Sequence, residues 1–476
     1  MKTVLQVLSE EEKAQVHERT LKILSETGVK VNTENGRQIL ADAGASVDKN
    51  TDIVKIPPTL VENSLKAAPR EFTLGARRPG WNLPMNAGDC TLMADGEGIT
   101  VIDRTTGEYR ASTHKDWLEA TQLIDAIDDI GVYWALVERG GEDESLSNTV
   151  AYWRQLFTNF SKHVQDVSPT AEHSPWLLEI LQTIFGDRET IRNTHPFSFL
   201  ICPQSPLIIE GPHTDAYLET IGWDIPVAIM PMPLMGGTGP GNMISMIIQG
   251  NCEILAMLCL IQAAAPGTPF IYAPALAVMN PRNGLYSAGA VENGLLNSAA
   301  IEMARYYQLP VEASGGGTDT FKPGIQASYE RSLNMMLPVL SWPDLLVGAG
   351  LLGGSMILSL EQLLIDAEVF RMNKQAHHGI QSSGDQWLDK VIQQVGPGGN
   401  FIGEKSTLEG MRSGEWLIPT IGIHKPRSNQ KRSGKGIVLE QVHEKVETLL
   451  KEYEPLPLSA EAEKELDRIV KKAKEI

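Results

Sequence analysis

From residue 114 onward the chain alternates between short apolar or β-branched runs and amphipathic helical stretches. Candidate strands lie at 130–137, 163–167, 197–202, 226–231, 269–275, 310–314 and 344–348. Candidate helices lie at 114–127, 148–160, 174–185, 213–221, 243–264, 289–307, 325–339 and 360–373. Two parallel strands cannot be joined by a hairpin; they need a crossover, and a helix supplies it. Seven strands, each followed by a helix, therefore predict an α/β protein with a parallel sheet closed as a (β/α)8 TIM barrel. The eighth strand is the weakest reading, and 377–381 is its candidate. A doubly wound open sheet is the alternative, and the lack of a G-x-G-x-x-G after the first strand disfavours it.

The flanks read differently. Ser9 and Glu12 form a capping box that opens a helix through about Thr27, and Gly28 stops it. Pro57-Pro58 opens a second helix through Ala68. Residues 72–110 are rich in Gly, Thr and alternating apolar residues, as in Gly98-Ile99-Thr100-Val101-Ile102-Asp103, and read as antiparallel hairpins. The expected division is an extension over 1–112, the barrel over 113–403, and a polar, helical segment over 404–476 packed on the barrel. Within the last, 425–435 is basic, a solvated loop or a docking surface, and 459–475 is a charged amphipathic helix.

A net charge of −18 argues against nucleic acid as a partner, since phosphate recognition needs a basic face. Four cysteines without a C-x-x-C pair fit a reducing compartment. The N-terminus turns acidic too early for a signal peptide, and the apolar run 254–265 is shorter than a bilayer span. A cytoplasmic protein with no membrane contact is expected.

The chemistry concentrates at strand ends. Glu312 to Glu330 reads EASGGGTDTFKPGIQASYE: a strand, three glycines, Asp319, then a helix carrying Gln326, Tyr329 and Glu330. Glycines there let the backbone bend sharply and leave room for a ligand at a barrel mouth. Gln204, Ser205, Glu210 and His213 follow one strand. Met232, Met235 and a glycine loop at 236–241 follow the next, and that loop serves either an anion or tight packing. Tyr133, Trp134 and Tyr272 sit at or near strand ends. Aromatic faces with a carboxylate suit an uncharged or cationic small molecule. No H-E-x-x-H or G-x-S-x-G appears, and adjacent His377-His378 do not share a helix face. Cys202 is a nucleophile by position or inert packing.

Several segments, in order, carry a family resemblance: Pro203-Gln204-Ser205-Pro206-Leu207; Pro231-Met232-Pro233-Leu234-Met235 with Gly236-Gly237-Thr238-Gly239-Pro240; Asn251-Cys252-Glu253; Pro266-Gly267-Thr268-Pro269; Ala304-Arg305-Tyr306-Tyr307-Gln308; Gly316-Gly317-Thr318-Asp319 with Gln326 to Glu330; and Leu360 to Glu368. The chain resembles the trimethylamine methyltransferase family of corrinoid-dependent enzymes over nearly its whole length. That resemblance implies a TIM barrel that moves a methyl group from an amine to the cobalt of a corrinoid held by a separate protein, with no cofactor or metal bound directly. Archaeal trimethylamine enzymes of the family carry pyrrolysine at the position that aligns with Gly317. Glycine cannot form the covalent amine adduct, so the chain resembles the non-pyrrolysine branch, which demethylates quaternary amines such as glycine betaine, proline betaine and carnitine.

On that reading Asp319 or Glu210 offsets the ammonium charge. Tyr133, Trp134 or Tyr272 cage it, Gln204 and Gly317 line the pocket, and His378, Arg282 or the glycine-loop amides after Met235 hold a betaine carboxylate. Asp319 alternatively caps the helix near 324–325. A homo-oligomer is expected. The competing readings are a barrel lyase or hydrolase using a divalent metal or a Schiff base on Lys322, and a non-catalytic betaine-binding protein.

Overall fold

The computed structural model describes residues 2–422 and 437–475; the basic stretch 425–435 lies outside the described residues. Eight short strands run parallel: β1 (Thr91–Ala94), β2 (Ile130–Tyr133), β3 (His163–Asp166), β4 (Phe197–Ile201), β5 (Val227–Ile229), β6 (Phe270–Tyr272), β7 (Glu312–Ser314) and β8 (Leu345–Ala349). Their order is β6-β5-β4-β3-β2-β1-β8-β7, and a parallel bridge between Tyr272 and Val311 brings the two ends together. The Tyr272 N–H donates to the Pro310 carbonyl at 2.9 Å across that seam. Each strand leads to a helix: α1 (His114–Ala126), α2 (Leu146–Asn159), α3 (Ser174–Phe185), α4 (Pro212–Leu218), α5 (Met243–Ala264), α6 (Val291–Tyr306), α7 (Ile325–Ser341) and α8 (Leu360–His378). This is the (β/α)8 barrel that the strand–helix rhythm predicts.

The eighth strand is not 377–381, which ends α8 and enters a coil. It is Thr91–Ala94, inside the region read as hairpins, and it pairs in parallel with both β8 and β2. The barrel thus draws its first strand from within residues 1–112, and the boundary at 112/113 does not separate extension from barrel. The hairpin reading holds on either side: Thr73–Leu74 pairs antiparallel with Leu83–Pro84, and Thr100–Ile102 with Tyr109–Ala111.

Strand alternation sorts side chains between two cores. Met93, Val132, Leu200, Met230, Ile271 and Val347 pack into the barrel lumen. Their neighbours Leu92, Tyr133, Ile201, Ile229, Tyr272 and Leu346 face outward into the main core beneath the helices. Successive residues of a strand point to opposite sides, so register alone decides which residues see the lumen.

The helix α5 is long and apolar enough to cross a membrane, yet 78% of its most apolar window is buried inside the protein. The N-terminal helices cover it. Asn251 on α5 donates to Thr20 and Tyr307 at 2.9 Å and accepts from the Tyr272 hydroxyl at 3.0 Å, so one buried amide fixes extension, helix and barrel together. The N-terminal strand Val29–Val31 pairs with Ile208–Ile209, in the loop after β4. At the other end of the chain, helix Ala460–Lys474 buries Ala462, Leu466, Ile469 and Ala473 and ties to the barrel through Arg154–Asp467 at 2.7 Å.

Candidate active site

The C-terminal strand ends surround a cavity of about 330 Å³. It is lined by Asp95 and Gly96 after β1, Trp134 after β2, Met230 and Met232 at the end of β5, Ala275 after β6, Ser314 to Gly317 at the end of β7, and Val347 and Gly348 on β8. Tyr286, Asn293 and Asn334 complete its walls from the loop after β6 and from α6 and α7. Extra strands brace the mouth. Leu351–Leu352, Ile357–Leu358, Thr100–Ile102 and Tyr109–Ala111 form one small sheet, and Leu234–Met235 pairs with Ala277–Val278 on another side.

Asp95 is the carboxylate of this cavity, 8% exposed. Burial raises its pKa, while the Ser355 hydroxyl (2.6 Å) and the Gly96 N–H (2.9 Å) pull it back by stabilising the ionised form. Ser355 holds a left-handed backbone (φ 66°), a conformation a serine adopts only when its surroundings fix it. The indole of Trp134 lies against Gly96, where a Cβ would sit 2.8 Å from the ring. The Tyr286 ring lies over Gly354 in the same way, 3.3 Å from the position of a Cβ. Glycine at both points lets an aromatic face reach the cavity. Among the described residues that line it, none is lysine, arginine or histidine.

The glycine loop after β7 is held by residues of the family pattern. Glu330 accepts from the Thr318 hydroxyl (2.5 Å), the Asp319 N–H (3.0 Å) and Gln326 (2.9 Å). Asp319 accepts from the Ser287 hydroxyl (2.9 Å) and the Ala288 N–H (2.6 Å). Its carboxylate clamps the loop after β6 onto the loop after β7 and is not part of the cavity lining. Nor does it cap α7, where the Gly324 position has no side-chain cap. Gly317 does line the cavity, and even a Cβ there would stand 2.6 Å from the Ala288 carbonyl oxygen.

The other expected site residues separate. Trp134 faces the cavity, whereas Tyr133 faces outward, where its hydroxyl meets Trp117 at 2.9 Å and Tyr152 at 3.2 Å. Tyr272 likewise faces α5. Glu210 accepts from the Thr214 N–H at 3.0 Å and so serves the first turn of α4. Gln204 is exposed and engaged through its backbone with Ile208. Arg282 is exposed in the loop after β6. His378 ends α8 at the foot of the barrel, beside His377, which stacks on Trp342 at the end of α7. The amides of Gly236, Gly237 and Gly239 are consumed within their own turn, by Gly239 and Leu234 carbonyls. Cys202 is half-buried, its thiol pushed up to about 12 by burial, and Lys322 is exposed on the rim. Asp95 and Tyr286 were missed. The signal for Asp95 was an apolar run ending in Asp-Gly (Thr91-Leu-Met-Ala-Asp-Gly), a strand end like the others.

Below the cavity, Glu312 projects into the lumen two residues before Ser314 and is fully buried. Gln165 on β3 donates to its Oε2 at 2.7 Å, while Glu312 Oε1 and Gln165 Oε1 have no partner. Burial pushes the carboxyl up to about 7 from 4.5, against the pull of the Gln165 bond. Between these values the folded chain holds a proton that the unfolded chain has released. The stability tied to this group is therefore complete below pH 4.5 and is lost as pH rises through 7. The Glu312→Gln variant is expected to show a shallower fall of melting temperature from pH 5 to pH 8 than the parent, by up to about 1.4 kcal/mol per pH unit in stability. Parallel pH profiles would remove Glu312 as the titrating group.

A parallel eight-stranded barrel with a buried carboxylate and two aromatic faces at its mouth defines a small-molecule barrel suited to a cationic ligand. Comparison with known proteins places it further: the family model for trimethylamine methyltransferase (MTTB) matches residues 2–476. The chain belongs to the trimethylamine methyltransferase family. It is 30% identical over 470 residues to a trimethylamine methyltransferase of Desulfitobacterium hafniense, covering 98% of this chain and 94% of that protein. It is 27% identical over 475 residues to a glycine betaine methyltransferase of the same species, covering 99% and 98%. Among solved structures, the monomethylamine methyltransferase of Methanosarcina barkeri is similar in fold, with a TM-score of 0.52 at 10% identity, covering all of this chain and 88% of that one.

Proposed function

We propose that the protein removes a methyl group from a quaternary ammonium compound and delivers it to the Co(I) corrinoid of a separate, docking protein. The observation that carries this reading is the pairing of Asp95 with Trp134 and Tyr286 around a cavity that Gly317 also lines, the position at which the family resemblance implies pyrrolysine in the archaeal trimethylamine enzymes. A carboxylate with aromatic faces stabilises a cation that has shed its water. Glycine at 317 leaves no group to form a covalent amine adduct. A quaternary donor needs none: the C–N bond breaks with its electron pair passing to nitrogen, the leaving group is a neutral tertiary amine, and no proton moves. The corrinoid supplies the Co(I) nucleophile. The residues of this chain bind the ammonium, exclude water and aim one methyl group outward.

The rim supports a visiting partner. Met232, Leu285, Tyr286, Phe321 and Met356 are between 44% and 65% exposed around the mouth, an apolar border suited to a docking protein. A cytoplasmic enzyme fits this role. Glycine betaine remains the reference donor through the relative noted above, but the groups expected to hold its carboxylate, His378, Arg282 and the loop after Met235, do not meet the cavity. The cavity therefore favours the ammonium head over any particular tail.

The reading predicts that choline binds at least tenfold more tightly than its neutral isostere 3,3-dimethylbutanol, measured by titration calorimetry. Equal affinity would show that shape rather than charge is recognised, and would remove Asp95 and the aromatic faces as the cation site.

A further inference from the structure

The segment after α8 leaves the foot of the barrel and makes almost no core with it. Helices Asp389–Val395 and Lys405–Arg412 bury none of their residues. Large apolar side chains stand in solvent along the segment: Trp387 is 69% exposed, Ile392 61%, Ile402 89%, Leu408 49%, Trp416 53% and Ile418 73%. Among the described residues, the hydrogen bonds and ion pairs of 386–413 are local, such as Thr407 to the Phe401 carbonyl and Lys405 to Glu409. The chain rejoins the barrel at Glu415, whose carbonyl accepts from Gln375, and at Thr420, which bonds Glu368. An ordered segment without a core must recover its ordering entropy from surface that something else covers.

We propose that residues 386–418 form an arm that packs against the same arm of a second copy of this chain. Three observations select that occupant. The arm starts from the end of α8, at the opposite end of the barrel from the cavity, so a protein reaching the mouth does not sit on it. Its exposed apolar side chains amount to on the order of 1,000 Å² per protomer, against the roughly 800 Å² per partner of a standard stable interface. The arm also carries three basic and four acidic residues in a chain of net charge −18. Two copies that repel elsewhere meet here at a nearly neutral face. Its charges alternate in sign as Asp389-Lys390, Glu404-Lys405 and Glu409 with Arg412, a pattern that a two-fold axis can match to itself. Tryptophans at both ends supply the kind of anchor that dominates such interfaces.

Sedimentation equilibrium on the intact chain tests this. The parent is expected to sediment at twice the monomer mass or a multiple of it at micromolar concentration. The double variant Ile402→Glu, Trp416→Glu is expected to sediment as monomer, with self-association weakened at least a hundredfold and with an unchanged circular dichroism spectrum. A second measurement needs no variant: amide exchange across 386–414 is expected to be slow in the assembled parent and to quicken on dilution to monomer. A monomeric parent, a double variant that folds and keeps the parent's mass, or exchange independent of concentration each overturns the proposal. So does arm-dependent capture of a monomeric parent by neutral lipid vesicles.

Discussion

Asp95→Asn is expected to raise KM for a quaternary ammonium donor by about 10²- to 10³-fold while leaving kcat within a few-fold of the parent. The side chain keeps its shape: the amide oxygen can still accept from the Gly96 N–H, and the amide NH2 can donate to the Ser355 hydroxyl oxygen in place of the bond it accepted, so the fold is preserved. What disappears is the negative charge of the cavity. Removing one partner of a desolvated charge pair costs roughly 2–5 kcal/mol. The split between KM and kcat follows from the chemistry. As the C–N bond lengthens, nitrogen loses its positive charge, so Asp95 stabilises bound substrate at least as well as the transition state and cannot itself accelerate the step. Steady-state kinetics across donor concentrations separates the two constants. A collapse of kcat at unchanged KM would instead make Asp95 a group acting on the reacting bond.

Arg331→Met is expected to destabilise the barrel by about 3–5 kcal/mol, the loss typical when one member of a buried ion pair is removed. Arg331 is 1% exposed, and its Nη1 donates to Asp366 at 2.7 Å and to the Gly348 carbonyl at 2.8 Å. Asp366 also accepts from the Gly350 N–H and from Gln362, both at 2.8 Å, and burial still pushes its carboxyl up to about 6. Without the guanidinium, Asp366 is a buried carboxylate beneath the glycine loops of β7 and β8. Gly348 cannot adjust, because its backbone is left-handed (φ 138°) and a Cβ would stand 1.7 Å from the Gly315 carbonyl oxygen. The melting temperature should drop by on the order of 10 °C, and the double variant Arg331→Met, Asp366→Leu should recover most of it, since an apolar pair removes the uncompensated charge. A single variant as stable as the parent would show that the pair contributes nothing to holding the site.

The helices and seven strands were legible because their periodicities persist over many residues and are reinforced by glycine and proline at the joints. The strand Thr91–Ala94 was not. Four residues between hairpins carry no period of their own, and only pairing with β8 and β2 makes them part of a barrel. Losing that strand also hid Asp95, the carboxylate that ends it. For the aromatic residues the decisive quantity was parity. Tyr133 and Trp134 are neighbours in one extended segment, so they face opposite sides, and Val132 in the lumen fixes Trp134 as the one that enters the cavity. Asp319 and Glu330 stood out because the glycine loop needs them, and a loop brace and a ligand contact look alike in one dimension. His378 and Arg282 are polar side chains whose distance from the mouth depends on where a helix ends and how a loop turns, which local sequence does not encode.

A quaternary methyl donor is expected to react without a covalent adduct on the protein. That expectation is tested most directly by a single-turnover assay with the reduced cognate corrinoid protein, following loss of Co(I) absorbance together with the amine product. Quaternary ammonium donors should discharge the Co(I) signal and release one equivalent of tertiary amine, and trimethylamine should leave it unchanged. Rapid turnover of trimethylamine, with quaternary donors inert, would contradict the account.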